Sequence, residues 1–180
     1  LIIDDHVMVR DGVAEIINGE DDLEVCGTAS TANEGLDALP KLKPDLVIVD
    51  ITLPGKNGIE LIKDARAQNP ELRILVMSMH DESLYADRVL RAGGRGYIRK
   101  QEGGDKLIEA MRRVLRGEIA VSAEMTGKLL EKFSGRATMD SPLEGLTDRE
   151  LEVFQLIGQG KTMKEIGDAL HLSPKTVEVH

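Results

Sequence analysis

The stretch "DLVIVDITLPGKNG" (residues 45–58) decides the fold, because it joins a continuous apolar run to a carboxylate and then to a loop rich in Pro and Gly. Val47, Ile48 and Val49 are typical of a strand that is buried on both faces, as in parallel sheets. Asp50 stands at the carboxyl end of this strand, where open α/β sheets bind their ligands. An aspartate at this place can also do no more than cap the following turn. The distinction depends on whether other side chains converge on Asp50.

Short apolar segments alternate with segments of helical periodicity over residues 1–118. The pattern predicts strands at 1–4, 23–29, 45–50, 73–78 and 95–99, and helices at 6–18, 32–40, 58–68, 82–92 and 104–116. Five consecutive βα units predict a parallel sheet with helices on both faces. Right-handed crossover connections then favour a doubly wound α/β fold, flavodoxin-like, with a five-stranded sheet of order 2-1-3-4-5.

The pattern changes after residue 118, where no further strand is predicted. One more helix is expected at 122–133, followed by the linker-like sequence "SGRATMDSPLEG" at 134–145. We therefore predict three parts: a sheet domain at 1–118, a helix with a flexible linker at 119–143, and a small all-α domain at 144–180.

Helix-capping signals divide the last part into three short helices. Thr147 and Thr162 each stand three residues before a Glu, which is the pattern of a capping box. Ser173 and Pro174 are typical of an N-cap followed by the first helical residue. Three short helices with tight junctions indicate a helix-turn-helix domain.

The predicted topology carries several polar side chains to the edge of the sheet that holds Asp50. Strand 1 ends in Asp4 and Asp5, strand 4 ends in Ser78, and Lys100 follows strand 5. Crowded carboxylates repel one another, so the set implies a cation, and hard oxygen ligands suit Mg²⁺. An ammonium group and a hydroxyl suit an anion. Together these groups predict an aspartate that carries a phosphoryl group.

Each of these side chains also has an ordinary structural interpretation. Asp4 or Asp5 could cap the first helix, Ser78 could complete a turn, and Lys100 could be a solvated surface lysine. His6 is expected to begin the first helix rather than to act as a ligand or a phosphoryl acceptor.

Composition bounds the function in three ways. No apolar run approaches the ~20 residues of a membrane span, so no membrane partner is expected. The one cysteine, Cys26, excludes an internal disulfide, fits a reducing, cytoplasmic compartment, and is expected to be buried. The net charge is −9, and residues 144–180 carry 4 basic and 7 acidic side chains, which is unusual for a domain that binds nucleic acid.

Four segments, "IIDDH", "DLVIVDITLPGKNGIE", "VMSMHD" and "AGGRGYIRK", resemble the receiver domain of bacterial two-component response regulators. The segment "LTDRELEVFQLIGQGKTMKEIGDALHLSPKTVEVH" resembles the effector of the NarL/FixJ (LuxR-type) family. The resemblance implies a transcription regulator that is not an enzyme. Its implied partners are a sensor histidine kinase, which supplies the phosphoryl group, and double-stranded DNA, and the active form would be a homodimer.

The resemblance also implies a role for each residue of the receiver site. Asp50 would be the phosphoacceptor, and Pro54 and Gly58 would shape the loop that follows it. Mg²⁺ would be held by Asp5, Asp50 and the backbone carbonyl of Thr52, and through water by Asp4. Lys100 would pair with the phosphoryl group, while Ser78 and Tyr97 would form a switch pair in which the hydroxyl moves toward the phosphoryl group and the ring turns inward.

In the effector, the resemblance places the DNA-reading helix at the end of the chain. Side chains on or beside the DNA-facing side would be those of Lys175, Thr176, Glu178, Val179 and His180. Phosphate contacts would come from Thr162, Lys164 and Ser173, partly through helix N-termini. Ordinary capping and solvation explain the same residues equally well.

The effector departs from the family pattern at two positions. Met163 stands where the family often has Asn, and Gly167 stands where it often has Ala. A glycine inside a helix weakens it by up to ~1 kcal/mol relative to alanine.

Two other classes of function remain open from the sequence. An aspartate-nucleophile phosphatase would need a second carboxylate just after Asp50, but Ile51 and Thr52 follow it. A module whose helical domain binds protein rather than DNA would fit the acidic effector.

Overall fold

The apolar run after Asp45 forms the centre of a parallel five-stranded sheet in the computed structural model, which describes residues 1–134 and 142–179. The strands are β1 (Ile2–Ile3), β2 (Thr28–Ala29), β3 (Leu46–Val49), β4 (Arg73–Ser78) and β5 (Gly96–Arg99). Their order is β2-β1-β3-β4-β5, and all pairs are parallel. The predicted doubly wound topology is confirmed. All four residues of β3 are buried, because a central strand of a parallel sheet has both faces covered.

Strand β2 is much shorter than the predicted 23–29, which is a correction. Ile2 of β1 pairs with Thr28, and the amide of Ile2 donates to the carbonyl of Gly27 at 3.1 Å. Residues 23–26 are not part of a strand, and Leu23 and Val25 are only partly buried. Cys26 is exposed rather than buried, contrary to the expectation.

Six helices follow the strands and agree closely with the predicted periods. They are α1 (Val7–Asn18), α2 (Ala32–Leu42), α3 (Gly58–Gln68), α4 (Glu82–Ala92), α5 (Gly104–Leu115) and α6 (Ala123–Phe133). Helix α2 runs two residues past the predicted end and contains Pro40. It ends at Lys43, whose backbone is left-handed, with the amide of Lys43 donating to the carbonyl of Leu39.

Helix α5 covers one face of the sheet with the apolar stripe that its sequence predicts. Leu107, Ile108, Met111 and Val114 are buried in a core with Ile48 and other strand residues, and Leu115 is partly buried against the same core. The packing of α5 thereby fixes the strands that carry the site residues.

The chain adds a short parallel segment to β5 before α6 begins. The amide of Tyr97 donates to the carbonyl of Ala120 at 2.8 Å, and the amide of Ala120 donates to the carbonyl of Arg95 at 2.9 Å. The amide of Ser122 then donates to the Glu82 carboxylate of α4 at 2.8 Å. The first turn of α6 is therefore tied to the first turn of α4.

The chain divides into two compact units, Leu1–Leu129 and Leu130–His180. The predicted division at residues 118 and 143 stays a prediction. Much of the predicted linker, residues 135–141, lies outside the described residues, and Pro142–Gly145 form a turn of 3₁₀ helix.

The second unit contains α7 (Asp148–Gly158), α8 (Met163–Leu170) and α9 (Pro174–Val179). Both predicted capping boxes are present, with Thr147 and Thr162 each accepting from the amide of the Glu three residues later. Ser173 caps α9, since its hydroxyl accepts from the amide of Thr176 at 3.1 Å. Among its described residues, Val153, Ile166, Leu170 and Val177 form a small hydrophobic cluster.

Helix α7 does not bury all the apolar residues that lie near helical spacing in its sequence. Leu151 is buried, but Phe154 is 52% exposed and Ile157 is 55% exposed. Glu152 is buried instead, and its carboxylate forms an ion pair with Arg149 at 2.9 Å. Across the described residues, none of the helices has the length and apolar character needed to cross a membrane.

Gly58 is the glycine that the loop after Asp50 requires. A Cβ atom built at this position would lie 2.1 Å from the carbonyl oxygen of Asp50 and 2.8 Å from the Cα of Ile51. The close approach is fixed by the amide of Gly58, which donates to the carbonyl of Ile51 at 2.7 Å. The start of α3 is thus packed directly on the backbone that carries Asp50.

We expect Gly58→Ala to destabilise the chain by about 1–3 kcal/mol, because the added methyl group meets backbone that cannot move aside without shifting Asp50. Gly12→Ala is the matched control, since a Cβ at Gly12 in α1 meets nothing within 4 Å. The control should raise stability by up to ~1 kcal/mol through its higher helix propensity. Urea denaturation of both variants measures the difference, and equal stability of the two would contradict the packing argument.

Candidate functional site

Four strands deliver polar side chains to one edge of the sheet, as predicted. Asp4 and Asp5 follow β1, Asp50 follows β3, Ser78 ends β4, and Lys100 follows β5. The backbone register keeps these positions level: the amide of Asp50 donates to the carbonyl of Ile3 at 2.9 Å, and the amide of Lys100 donates to the carbonyl of Ser78 at 2.8 Å. The site is therefore a consequence of the strand order and does not depend on a mobile loop.

The Lys100 side chain bridges two of the carboxylates. Its Nζ lies 2.6 Å from Oδ2 of Asp50 and 2.7 Å from Oδ2 of Asp4, and the three side chains are 8%, 4% and 0% exposed. Burial alone would lower the pKa of Lys100, but the charge of Asp50 and the contact with Asp4 outweigh it, so the pKa lies above its usual value. The ammonium group therefore stays charged and holds both carboxylates in place.

One ammonium group does not balance the buried negative charge. Burial, with a smaller effect from the charge of Asp4, raises the pKa of the Asp50 carboxyl to about 6, although Lys100 acts in the opposite direction. Asp5 adds a third carboxylate beside this pair. Such a set is stabilised by an additional cation.

The geometry of the cluster fits a divalent cation. One ligand atom from each of Asp4, Asp5, His6 and Asp50 lies within 4.8 Å of the others. Carboxylate oxygens are hard ligands of the kind that Mg²⁺, Ca²⁺ and Mn²⁺ prefer. These residues could therefore hold a metal ion.

His6 stands at the start of α1, and its ring contacts the acidic pair. It precedes the first residue of α1, as expected, but its side chain makes no capping hydrogen bond. Its Nδ1 instead lies 2.7 Å from Oδ1 of Asp5 and 3.4 Å from Oδ1 of Asp4. The imidazole therefore belongs to the carboxylate cluster, although His6 was expected only to begin the helix. The signal in the sequence was its position directly after Asp4 and Asp5.

His80 connects the other predicted site residues and was not predicted. Its Nε2 lies 3.0 Å from the hydroxyl of Thr52, its amide donates to the hydroxyl of Ser78 at 3.3 Å, and its carbonyl accepts from the hydroxyl of Tyr97 at 2.9 Å. Its ring also packs on Tyr85, with the ring centroids 4.8 Å apart. The signal available was its position, only two residues after Ser78.

Tyr97 lies with its ring inside the protein. It is 4% exposed, and burial raises the pKa of its phenol above the usual range, so the hydroxyl remains a donor at neutral pH. Ser78 is fully buried on the neighbouring strand. Thr52, Ser78 and Tyr97 are therefore joined through His80, while Lys100 and the aspartates form a separate, directly bonded group.

The predicted DNA-contact residues fall into two structural groups in the second unit. Thr162 and Ser173 use their hydroxyls as helix caps, the ordinary role considered above. Several others carry exposed side chains: Lys164, Lys175, Glu178 and Val179. Thr176 is half-buried, and its hydroxyl oxygen lies 2.7 Å from that of Ser173. His180 lies outside the described residues.

Comparison with known proteins agrees with this architecture. The chain matches the response regulator receiver domain over residues 1–112 and the luxR family of bacterial regulatory proteins over residues 144–180. It is 37% identical over 186 residues to the oxygen regulatory protein NreC of Staphylococcus carnosus, with 100% of this chain and 86% of that protein covered.

Two solved structures are also similar. A two-component response regulator of the LuxR family from Aurantimonas sp. SI85-9A1 has 32% identity and a TM-score of 0.68, over 74% of this chain and 95% of that one. RcsB from Salmonella enterica serovar Typhimurium, bound to a promoter in the presence of the phosphomimetic BeF3-, has 30% identity and a TM-score of 0.66, over 98% of this chain and 84% of that one. The chain therefore belongs to the two-component response regulators that join a receiver domain to a LuxR-type helix-turn-helix effector, a family of phosphorylation-dependent transcription regulators.

Proposed function

We propose that Asp50 of this chain accepts a phosphoryl group from a sensor histidine kinase, with Mg²⁺ as the cofactor, and that the acyl phosphate controls binding of double-stranded DNA by the second unit. The observation that carries the proposal is the Lys100 ammonium group held between Asp4 and Asp50 beside a third carboxylate. The Lys100 ammonium group is a buried cation beside Asp50, whose carboxyl has a raised pKa. This arrangement suits a carboxylate whose negative charge changes when a phosphoryl group is added or removed.

In the proposed reaction a carboxylate oxygen of Asp50 forms a P–O bond while the P–N bond to the donor's imidazole breaks, and the bonding electron pair leaves with the imidazole, which takes up a proton. Asp5, Asp50 and the carbonyl of Thr52 would hold Mg²⁺, with Asp4 acting through water. The bound ion would neutralise charge on the transferring phosphoryl oxygens. Lys100 would exchange its contact with the Asp50 carboxylate for a phosphoryl oxygen.

The added phosphoryl group would act on the switch residues through charge. It brings about −1.5 to −2 charges and three acceptor oxygens at neutral pH. The Ser78 hydroxyl, which now accepts from the amide of His80, would turn to donate to a phosphoryl oxygen. His80 also bonds to Thr52 and Tyr97, so a movement of Ser78 would alter the start of α4.

Further parts of the proposal concern the protein as a whole. We propose a cytoplasmic regulator that dimerises when active and that signals through a stable phosphorylated state rather than by enzymatic turnover. Support for the last point comes from Ile51 and Thr52, which follow Asp50 in the chain where a phosphatase of this kind would need an acid/base carboxylate. Exposed Lys164 and Lys175 support the DNA partner in the effector.

The phosphoacceptor role predicts a gain of one phosphoryl group in the intact mass after incubation with Mg²⁺ and acetyl phosphate. Asp50→Asn should show no gain, because the amide is not a nucleophile for this reaction, and EDTA should prevent the gain in the wild type. Asp45→Asn, at the opposite end of β3 from Asp50, is the matched control and should be phosphorylated normally. An unmodified wild type, or a modified Asp50→Asn variant, would refute the assignment.

The charge balance predicts that Asp50→Asn is more stable than the wild type in EDTA at neutral pH, by about 2 kcal/mol, because burial makes the ionised carboxylate costly and Lys100 keeps Asp4 as its partner. Addition of saturating MgCl₂ should stabilise the wild type much more than the variant, since binding to the folded state alone raises its stability. Urea denaturation measures both quantities. A variant that is less stable in EDTA would show that the Lys100–Asp50 attraction exceeds the cost of burial.

The contact between Glu82 and Ser122 predicts that the phosphoryl state reaches α6. Beryllofluoride with Mg²⁺ should change hydrogen exchange in the first turn of α6 in the wild type, and Glu82→Ala should raise basal exchange there and remove the response. Glu82→Gln should keep most of the protection, because the amide oxygen still accepts. Glu60→Ala, which removes an exposed first-turn glutamate of α3, is the control. An unchanged response in Glu82→Ala would exclude this contact as the connection.

A further inference from the structure

Arg10 of α1 reaches back to the backbone that joins the two acidic residues after β1. Its Nη1 donates to the carbonyl oxygen of Asp4, which belongs to the peptide between Asp4 and Asp5. Ile3 is the last residue of β1 that pairs with a neighbouring strand, so this carbonyl lies beyond the ladder. The orientation of the peptide therefore depends on contacts from outside the strands.

Three hydrogen bonds close a ring around this peptide. The amide of His6 donates to Oδ1 of Asp4 at 2.9 Å, and the amide of Arg10 donates to the carbonyl of His6 at 3.1 Å. The bond from the Arg10 side chain to the Asp4 carbonyl completes the ring. Asp5 lies between these residues in the chain, so the same bonds hold the backbone that carries its carboxylate.

The stability of α1 does not explain the place of this arginine. A cation near the N-terminus of a helix opposes the helix dipole, and the favourable place for an arginine is the last turn. Arg10 is the fourth residue of α1, and the first turn contains no acidic residue that would offset its charge. The contact that accounts for the guanidinium group is therefore the one with the Asp4 carbonyl.

We propose that Arg10 is a positioning residue of the phosphoacceptor site, which fixes the peptide between Asp4 and Asp5 so that their carboxylates are oriented for Mg²⁺. The inference rests on the metal site of the proposed function, keeps its ligands unchanged, and adds the residue that orients two of them. Mg²⁺ tolerates little departure from octahedral geometry, so a displaced carboxylate costs affinity. Groups that orient ligands in this way typically contribute about 10–100-fold to metal affinity.

Charge and position predict opposite effects of removing the guanidinium group. Arg10 is a cation beside a cation site, so Coulomb repulsion alone predicts that its removal tightens Mg²⁺ binding. Loss of positioning predicts weaker binding. A purely stabilising role predicts no change in affinity, and one partner for such a role is Glu34. Hydrogen bonds from Ser30 lower the pKa of the Glu34 carboxyl, and the charge of Arg10 adds a smaller effect in the same direction.

The first measurement is calorimetric titration of the unphosphorylated chain with MgCl₂. Arg10→Met keeps the apolar stem of the side chain but removes its donors, and it should weaken Mg²⁺ binding by about tenfold. Arg10→Lys, which retains a charged donor, should recover most of this loss.

Arg66→Met is the matched control for this titration. Nη1 of Arg66 in α3 also donates to a backbone carbonyl, that of Leu72 at 3.3 Å, but Leu72 precedes β4 at the opposite end of the sheet. The control should bind Mg²⁺ as the wild type does. Tighter or unchanged binding in Arg10→Met, or equal weakening in Arg66→Met, would overturn the proposal.

Amide hydrogen exchange in EDTA tests the positioning without the metal. Arg10→Met should exchange faster than the wild type at the amides of Asp5 and His6, because the ring of hydrogen bonds around them is opened. The amide of Asp50 should be unaffected, since it donates to the carbonyl of Ile3 within the sheet. Unchanged exchange at Asp5 and His6 would contradict a positioning role.

Phosphorylation by acetyl phosphate separates this inference from the proposed function. Arg10→Met should react slowly at low Mg²⁺ and at nearly the wild-type rate at saturating Mg²⁺, because only the metal affinity is changed. A low rate at saturating Mg²⁺ would overturn the positioning role. A wild type that binds Mg²⁺ but gains no phosphoryl group would refute the proposed function alone, while the titration still decides the role of Arg10. A wild type that binds no Mg²⁺ would refute both.

Discussion

The site depends on the position of one ammonium group between two buried carboxylates. Lys100 contacts Asp4 and Asp50 at hydrogen-bond distance, and each of the three residues follows a different strand of the sheet. Two carboxylates buried without this cation would repel each other and separate the ends of β1 and β3. The cation compensates only part of the charge of three aspartates, which leaves the site with a preference for a metal ion. In the proposed function, phosphoryl transfer would be an exchange of partners within this array of charges.

His80 explains how this array can influence the rest of the receiver. It is bonded to Thr52 in the loop after β3, to Ser78 at the end of β4 and to Tyr97 on β5, and it packs on Tyr85 of α4. Because His80 contacts three strand ends and one helix, movement of any of these elements would displace it. Glu82, near the start of α4, extends the same connection to Ser122 and the first turn of α6. Coupling of this kind requires close packing and specific hydrogen bonds, not large motions.

Much of the fold could be predicted from the sequence because periodicity and strand order were consistent with each other. The apolar run before Asp50, the amphipathic stripe of α5 and the capping boxes of α7 and α8 each predicted what is found. The errors arose where a residue depends on a distant partner. Residues 23–26 have strand-like sequence but form no strand, and Cys26 is exposed. His80 is bonded to neighbours on other strands, which local patterns do not encode.

The second unit shows how a small domain compensates for a limited core. Among the described residues of this unit, Val153, Ile166, Leu170 and Val177 form a small hydrophobic cluster, so local interactions must help to fix the helix ends. Thr162 and Ser173 do this through their hydroxyls, each of which accepts from a backbone amide at the start of α8 or α9. Helix N-termini are also the ends that favour a phosphate oxygen. Capping and phosphate binding are therefore compatible interpretations of one arrangement. The acidic side chains of this unit oppose a polyanion, so its net charge does not by itself favour binding of DNA.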